Sequence, residues 1–136
     1  MSLLLGLHLA ATFGMFGVIW FVQLIQYPLF DRIPPADFPA YHHTYTRRIA
    51  LIVIPLMLTE LATSLLLLRH DTSIPNLLGL ALIALIWLST FTLQVPCHQK
   101  LSQGYHAPTH RKLVLTNWIR TAAWTTRTFL LILLID

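Results

Sequence analysis

A single cysteine, Cys97, excludes an intrachain disulfide, so nothing about redox compartment can be read from pairing. Five glycines are too few and too scattered to build a loop that cradles phosphate, and no GxSxG nucleophile turn occurs. The five acidic residues are equally dispersed, which removes the paired carboxylates that a hydrolase of that type needs. There is no HExxH and no HxxHH, so the combined run of HxxxH and HxxHH motifs that would hold two irons in a membrane desaturase is missing. Charge of either sign is rare, at 10% of residues against about 25% in ordinary globular domains.

Apolar residues fill the gap. They make up 56% of the chain, where a globular domain carries about 45–50%. A soluble domain of 136 residues could not hide that much apolar surface, so the reading is one transmembrane domain over residues 1–136. The formal net charge of +4 does not point to nucleic acid, because no basic stripe with interleaved aromatics appears. The cations stand instead at the ends of apolar runs, as they do in membrane proteins. The run from Leu3 to Ile25 lacks a basic leader and exceeds the length of a signal-peptide core, so it reads as a first span.

Four segments have the roughly 20 apolar residues that a spanning helix requires: 3–27, 49–68, 74–95 and 113–135. Helix is the assignment because a chain in lipid must satisfy its own backbone. The fold expected is all-α, a transmembrane four-helix bundle. A short turn, 69–73, makes the middle spans antiparallel, and the long connections 28–48 and 96–112 then share one face. That face holds Arg32, Arg47, Arg48, Lys100, Arg111 and Lys112, against Arg69 alone on the other. The bias places the long loops in the cytoplasm and both termini outside. Tyr27, Tyr41 and Tyr45 fall near that interface, where anchoring competes with a chemical role.

The two halves echo each other. Gln26-Tyr27-Pro28 closes the first span and Gln94-Val95-Pro96 the third, and His42 and His110 each lie sixteen residues after their glutamine. A duplicated helical hairpin would produce this pattern; so would any two membrane hairpins that end in proline and a basic anchor.

Polar residues inside the spans carry the functional reading, since ionisable groups at membrane depth face a bundle interior or a hydrated cavity. At ~1.5 Å per residue from the loop-bearing end, Gln23 and Asn117 lie ~6 Å deep, Thr90 ~8 Å and Arg120 ~10 Å. Thr90, Gln94 and His98 share one helical face if the helix passes Pro96; Asn117, Arg120, Trp124 and Arg127 share another. The expectation is an inward pocket with His98, Arg120 and Asn117 at the chemistry and Gln23, Thr90, Gln94 and Trp124 on the substrate. Arg120 has three candidate roles: snorkelling to the interface, donating to neighbouring amides, or holding an anionic head group. Glu60 (~18 Å) and Arg127 (~21 Å) match in depth and oppose in sign, which predicts a buried ion pair. The pair serves either as a helix clamp or, through Glu60, in proton handling.

Five of seven histidines belong to the loop-bearing face. Imidazole ligates Cu, Fe and Zn. A metal here would take His98 with a second nitrogen from His43 or His110, and a haem between the loops is the lesser option. The other reading of these histidines is that they are interfacial polar residues.

The segments Gln26-Tyr27-Pro28-Leu29-Phe30, Pro55-Leu56-Met57-Leu58-Thr59-Glu60, Gln94-Val95-Pro96-Cys97-His98 and Asn117-Trp118-Ile119-Arg120-Thr121 resemble an uncharacterised family of small bacterial four-helix membrane proteins. That resemblance implies a bacterial inner membrane. In length, span count and an Asn/Arg-bearing last helix the chain is also similar to anthrone-oxygenase-like membrane proteins, a likeness of fold alone. Together these favour an oxidoreductase acting on a lipophilic small molecule drawn from membrane lipid. A binding or transport module using Glu60 and Arg127, and a non-catalytic subunit of a membrane complex, are the alternatives. Homo-oligomerisation stays open.

Overall fold

An apolar run with no polar partner for its backbone must hydrogen-bond to itself, and from Leu3 onward the chain does so. In the computed structural model, which describes residues 2–136, α1 spans Leu3–Phe21, with Ser2 Oγ accepting the Leu5 N–H at 3.2 Å as its cap. Next come α2 (Phe38–His70), α3 (Ile74–Ser89), α4 (Val95–Leu101) and α5 (Ala107–Ile135). No strand is present among the described residues.

Two π-turns interrupt this order, Val22–Gln26 after α1 and Thr90–Gln94 between α3 and α4. Each closes on the glutamine of a Gln-x-Pro segment. Proline two residues on has no N–H, and its ring crowds the carbonyl four residues back, so the helix widens by one residue before it. The Tyr27 N–H therefore reaches Val22 O at 2.9 Å, and the Val95 N–H reaches Thr90 O. The echo read in the sequence recurs in the backbone.

The long connections differ from expectation. A 3-10 turn (Pro28–Arg32) continues α1, and α2 begins at Phe38. Helix also runs through Pro96 to Leu101 and resumes at Ala107. Only residues 33–37 and 102–106 remain as connections at that end. The cause lies in Phe38, His42, Tyr45 and Ile49, which fall on one helical face and pack into the bundle. Polar residues on the other face hide that helix from a hydropathy reading. At the opposite end Asp71 organises the tight turn, accepting from the Ser73 N–H at 3.0 Å and from Asn76.

Around the bundle the neighbours run α1, α2, α3, α5 and back to α1, while α2 meets α4 over a short stretch around His42. Three helical stretches, Leu3–Arg32, Phe38–His70 and Ile74–Leu101, are long and apolar enough to cross a membrane. α5 is long enough but too polar to meet the same criterion. Its polar side chains account for this: Asn117, Arg120, Thr121, Arg127 and Thr128 are all buried against the other helices. Polarity is inverted throughout. Among the described residues, sixteen buried side chains are polar or charged against fifteen apolar ones, while leucines, isoleucines and phenylalanines cover the outside. A water-soluble protein rarely exposes such a surface.

Candidate functional site

α5 presents Asn117, Arg120, Thr121 and Trp124 to the interior at spacings of three and four, and these side chains organise the centre of the bundle. Gln23, delivered by the first π-turn, donates to Val114 O at 3.0 Å and accepts from Asn117 Nδ2 and Thr121 Oγ1 at 2.9 Å each. Asn117 Oδ1 then takes the Arg120 Nε–H at 2.9 Å. Arg120 Nη1 donates to Thr90 Oγ1 at 3.2 Å and Nη2 to the Tyr27 hydroxyl at 3.3 Å. Four of the residues expected in one layer, Gln23, Thr90, Asn117 and Arg120, thus form one network.

Arg120 is buried, and no acidic side chain pairs with it among the described residues. A guanidinium has five N–H groups, and the protein supplies acceptors for three of them. Arg120 also lines a slot of about 350 Å³ that opens between α2 and α4. The slot runs from Gln99 and Ser102 at its rim to Arg120 and Trp124 at its floor. Val18, Ile49, Val53 and Val95 form apolar walls, and Tyr27 and His98 stand beside Arg120. The volume falls in the range of small-molecule sites, about 300–1,000 Å³.

Trp124 closes the floor and turns its Nε1–H to Glu60, 3.1 and 3.2 Å from the two carboxylate oxygens. Glu60 Oε2 lies 3.7 Å from Arg127 Nε, and both side chains are 2% exposed. That is a charge pair without a hydrogen bond. The Arg127 Nη groups donate elsewhere, to Gly79 O at 2.7 Å, Thr12 Oγ1 at 3.2 Å and His8 Nε2 at 3.3 Å, while Nε is left with no hydrogen-bond partner.

Above Arg120 a second chain of contacts begins at Tyr27. Its hydroxyl is 2.9 Å from His98 Nε2, and His98 Nδ1 is 2.9 Å from His42 Nε2. His42 Nδ1 is 3.0 Å from Ser102 Oγ, which in turn donates to His98 O at 2.9 Å. His42 is fully buried and Ser102 is exposed.

Several expected site residues sit elsewhere. Gln94 does not line the slot, because Ser89 Oγ donates to its Oε1 at 2.9 Å and its Nε2 donates to Thr116 at 3.1 Å. Gln23, Thr90 and Asn117 stand behind Arg120 as supports and touch no slot surface. The expected grouping of His98 with His43 or His110 does not form. His43 is exposed, and His110 is held between Tyr105 and Tyr27 O. His98 uses both ring nitrogens on Tyr27 and His42. No group of three or more metal-ligating side chains occurs among the described residues.

Tyr27, His42 and Ser102 carry contacts that the sequence reading did not assign, as do His8, Thr12 and Gly79. The one available signal was Tyr27 inside Gln-x-Pro, where the π-turn redirects it inward. Ser102 and Gly79 carried none. Set against models of known protein families, curated proteins and solved structures, the chain matches none of them.

Proposed function

We propose that this chain is an integral membrane protein that takes a lipophilic small molecule bearing an acidic oxygen from the bilayer into the slot, holding that oxygen on Arg120 and Tyr27. The four helices would cross the membrane, with the cation-rich end in the cytoplasm and both termini outside, in keeping with the positive-inside bias and a bacterial inner membrane. The inverted exterior and three apolar helices support the membrane part of this reading.

One observation carries the ligand: Arg120 is buried, has no counter-ion and lines a slot with apolar walls. An unpaired buried charge costs several kcal/mol. A site that keeps one beside an apolar cavity is complementary to an anionic or strongly accepting head on an apolar body. The gap between α2 and α4 offers entry from the side. For the oxidoreductase expected from the sequence, the residues present supply only acid–base chemistry: His98 reaches the ligand oxygen through Tyr27 and could take its proton.

Transport past Glu60 and Arg127 finds less support. The space among His8, Ser64, Gly79 and Arg127 is about 20 Å³, room for a single water.

The test is saturable binding, in detergent micelles, of a para-alkylated ortho-nitrophenol and of its methyl ether, which has no acidic proton. The phenol should bind at least about tenfold more tightly, equivalent to about 1.4 kcal/mol, and Arg120→Gln should erase that preference. Equal binding of phenol and ether would sink the proposal.

A further inference from the structure

The Tyr27–His98–His42–Ser102 chain has a direction, and hydrogen-bond capacity sets it. Arg120 can only donate, so the Tyr27 oxygen accepts from it and the Tyr27 O–H needs an acceptor. His98 Nε2 is the protein acceptor it meets. His98 must then carry its proton on Nδ1 and donate to His42 Nε2, and His42 must carry its own on Nδ1 and donate to Ser102 Oγ. Ser102 completes the sequence by donating to His98 O. In this arrangement every group has its partner. The reverse arrangement costs His98 O only its Ser102 hydroxyl contact, since the Ser102 backbone N–H still donates to it at 2.9 Å. But it turns the Tyr27 O–H away from His98, so that it needs another acceptor, such as a ligand in the slot. These tautomers follow from the network, not from observed hydrogens.

From this geometry we infer that Tyr27, His98, His42 and Ser102 form a proton exit from the slot to the loop-bearing surface. The inference rests on the slot being a site for an acidic oxygen. The step balances as follows. The ligand O–H passes its proton to the Tyr27 oxygen, whose own proton moves to His98 Nε2. The proton on His98 Nδ1 passes to His42 Nε2, and that on His42 Nδ1 passes to Ser102. The Ser102 proton leaves to water. No electrons move. One proton leaves the ligand and one appears at the surface. The chain ends in its reversed form, with the Tyr27 O–H donating to the new oxyanion beside Arg120, so ionisation and anion binding are one event.

A relay is needed because the ligand blocks the direct route. A lipophilic body filling the slot from rim to floor would exclude water from its own head group, whereas His42 is fully buried behind the slot lining, against His98 and Ser102. Arg120 and His110 from α5, Tyr45 and His43 from α2, and Cys97 from α4 are charged or titratable neighbours; His110 meets Tyr27 at its backbone carbonyl, and none of them interrupts the chain.

The same alkylated nitrophenol tests the inference, now by rate. Mixed with the protein below the probe's own pKa, it should develop its phenolate absorbance in the bound state and release one proton per molecule bound, read with a pH indicator. His42→Ala should slow phenolate formation by about a hundredfold, the scale of a lost proton-transfer group, and added imidazole should restore it. A simple structural role for His42 would not give that rescue. If His42→Ala does not fold, His42→Gln keeps hydrogen-bond partners for His98 and Ser102 but cannot pass a proton, and the same slowing is expected. Wild-type rates in either variant, with the probe bound, overturn the relay and leave the binding site standing. Failure of the wild type to bind the probe overturns the binding site instead. The relay is then judged by nitrogen-15 NMR of labelled histidine, where His42 and His98 should both be Nδ1–H tautomers; any other pair of tautomers refutes it.

Discussion

One indole couples the slot to the deep ion pair: Trp124 Nε1 lies 3.1 and 3.2 Å from the two carboxylate oxygens of Glu60 while its ring forms the slot floor. Glu60 is thereby held from the slot side by Trp124 and from below by Arg127, at 3.7 Å. The arrangement explains how a carboxylate and a guanidinium tolerate 2% exposure without a direct hydrogen bond between them.

Removing one member should therefore be expensive. Glu60→Gln leaves Arg127 buried and uncompensated and should destabilise the detergent-solubilised bundle by about 3–5 kcal/mol. The double change Glu60→Gln with Arg127→Met should recover much of that loss. A double-mutant cycle on thermal or denaturant unfolding measures it, and purely additive losses would show that the two residues are not coupled.

Gly79 gives a second test of the same cluster. A Cβ there would sit 2.9 Å from Arg127 Nη1, which donates to the Gly79 carbonyl. Alanine improves helix propensity by about 1 kcal/mol, but overpacking a fixed side chain costs about 1–3 kcal/mol. Gly79→Ala should be destabilising on balance, and it should become stabilising in an Arg127→Met background. A stabilised single variant would mean that Arg127 is free to move aside.

The proposed membrane orientation is tested by thiol labelling, although not at the native cysteine. Cys97 is 3% exposed, so it would be silent on either side. On a Cys97→Ala background, the exposed positions Gln103 and Thr72 report the two ends. Gln103→Cys should resist an impermeant thiol reagent in intact cells and react after lysis, and Thr72→Cys should react before lysis. The opposite pattern reverses the orientation.

Composition and periodicity determined much of this protein. The apolar runs dictated helices, and the scarcity of loop residues around 69–73 dictated an antiparallel pair. The repeated Gln-x-Pro marked the two places where the helices widen. The depth of Gln23, Thr90, Asn117 and Arg120 along their helices also placed them in one layer, because rise per residue converts sequence position into height. Helical register along α5 put Arg120 and Trp124 on the same side for the same reason.

Height says nothing about which way a side chain turns or which neighbour it meets, and there the tertiary structure decided. Gln94 falls on the helical face of Thr90 and His98 yet turns to Ser89 and Thr116. Tyr27 sits where an interfacial anchor would, yet the π-turn carries its hydroxyl to Arg120 and His98. The stretch 38–48 reads as a polar loop, but the packing of Phe38 and His42 makes it helix and brings His42 to His98 across 56 residues of sequence. The slot itself exists because α2 meets α4 only near His42 and diverges from it below that contact. That separation depends on how four helices pack together, a property of pairs of surfaces that no single segment encodes.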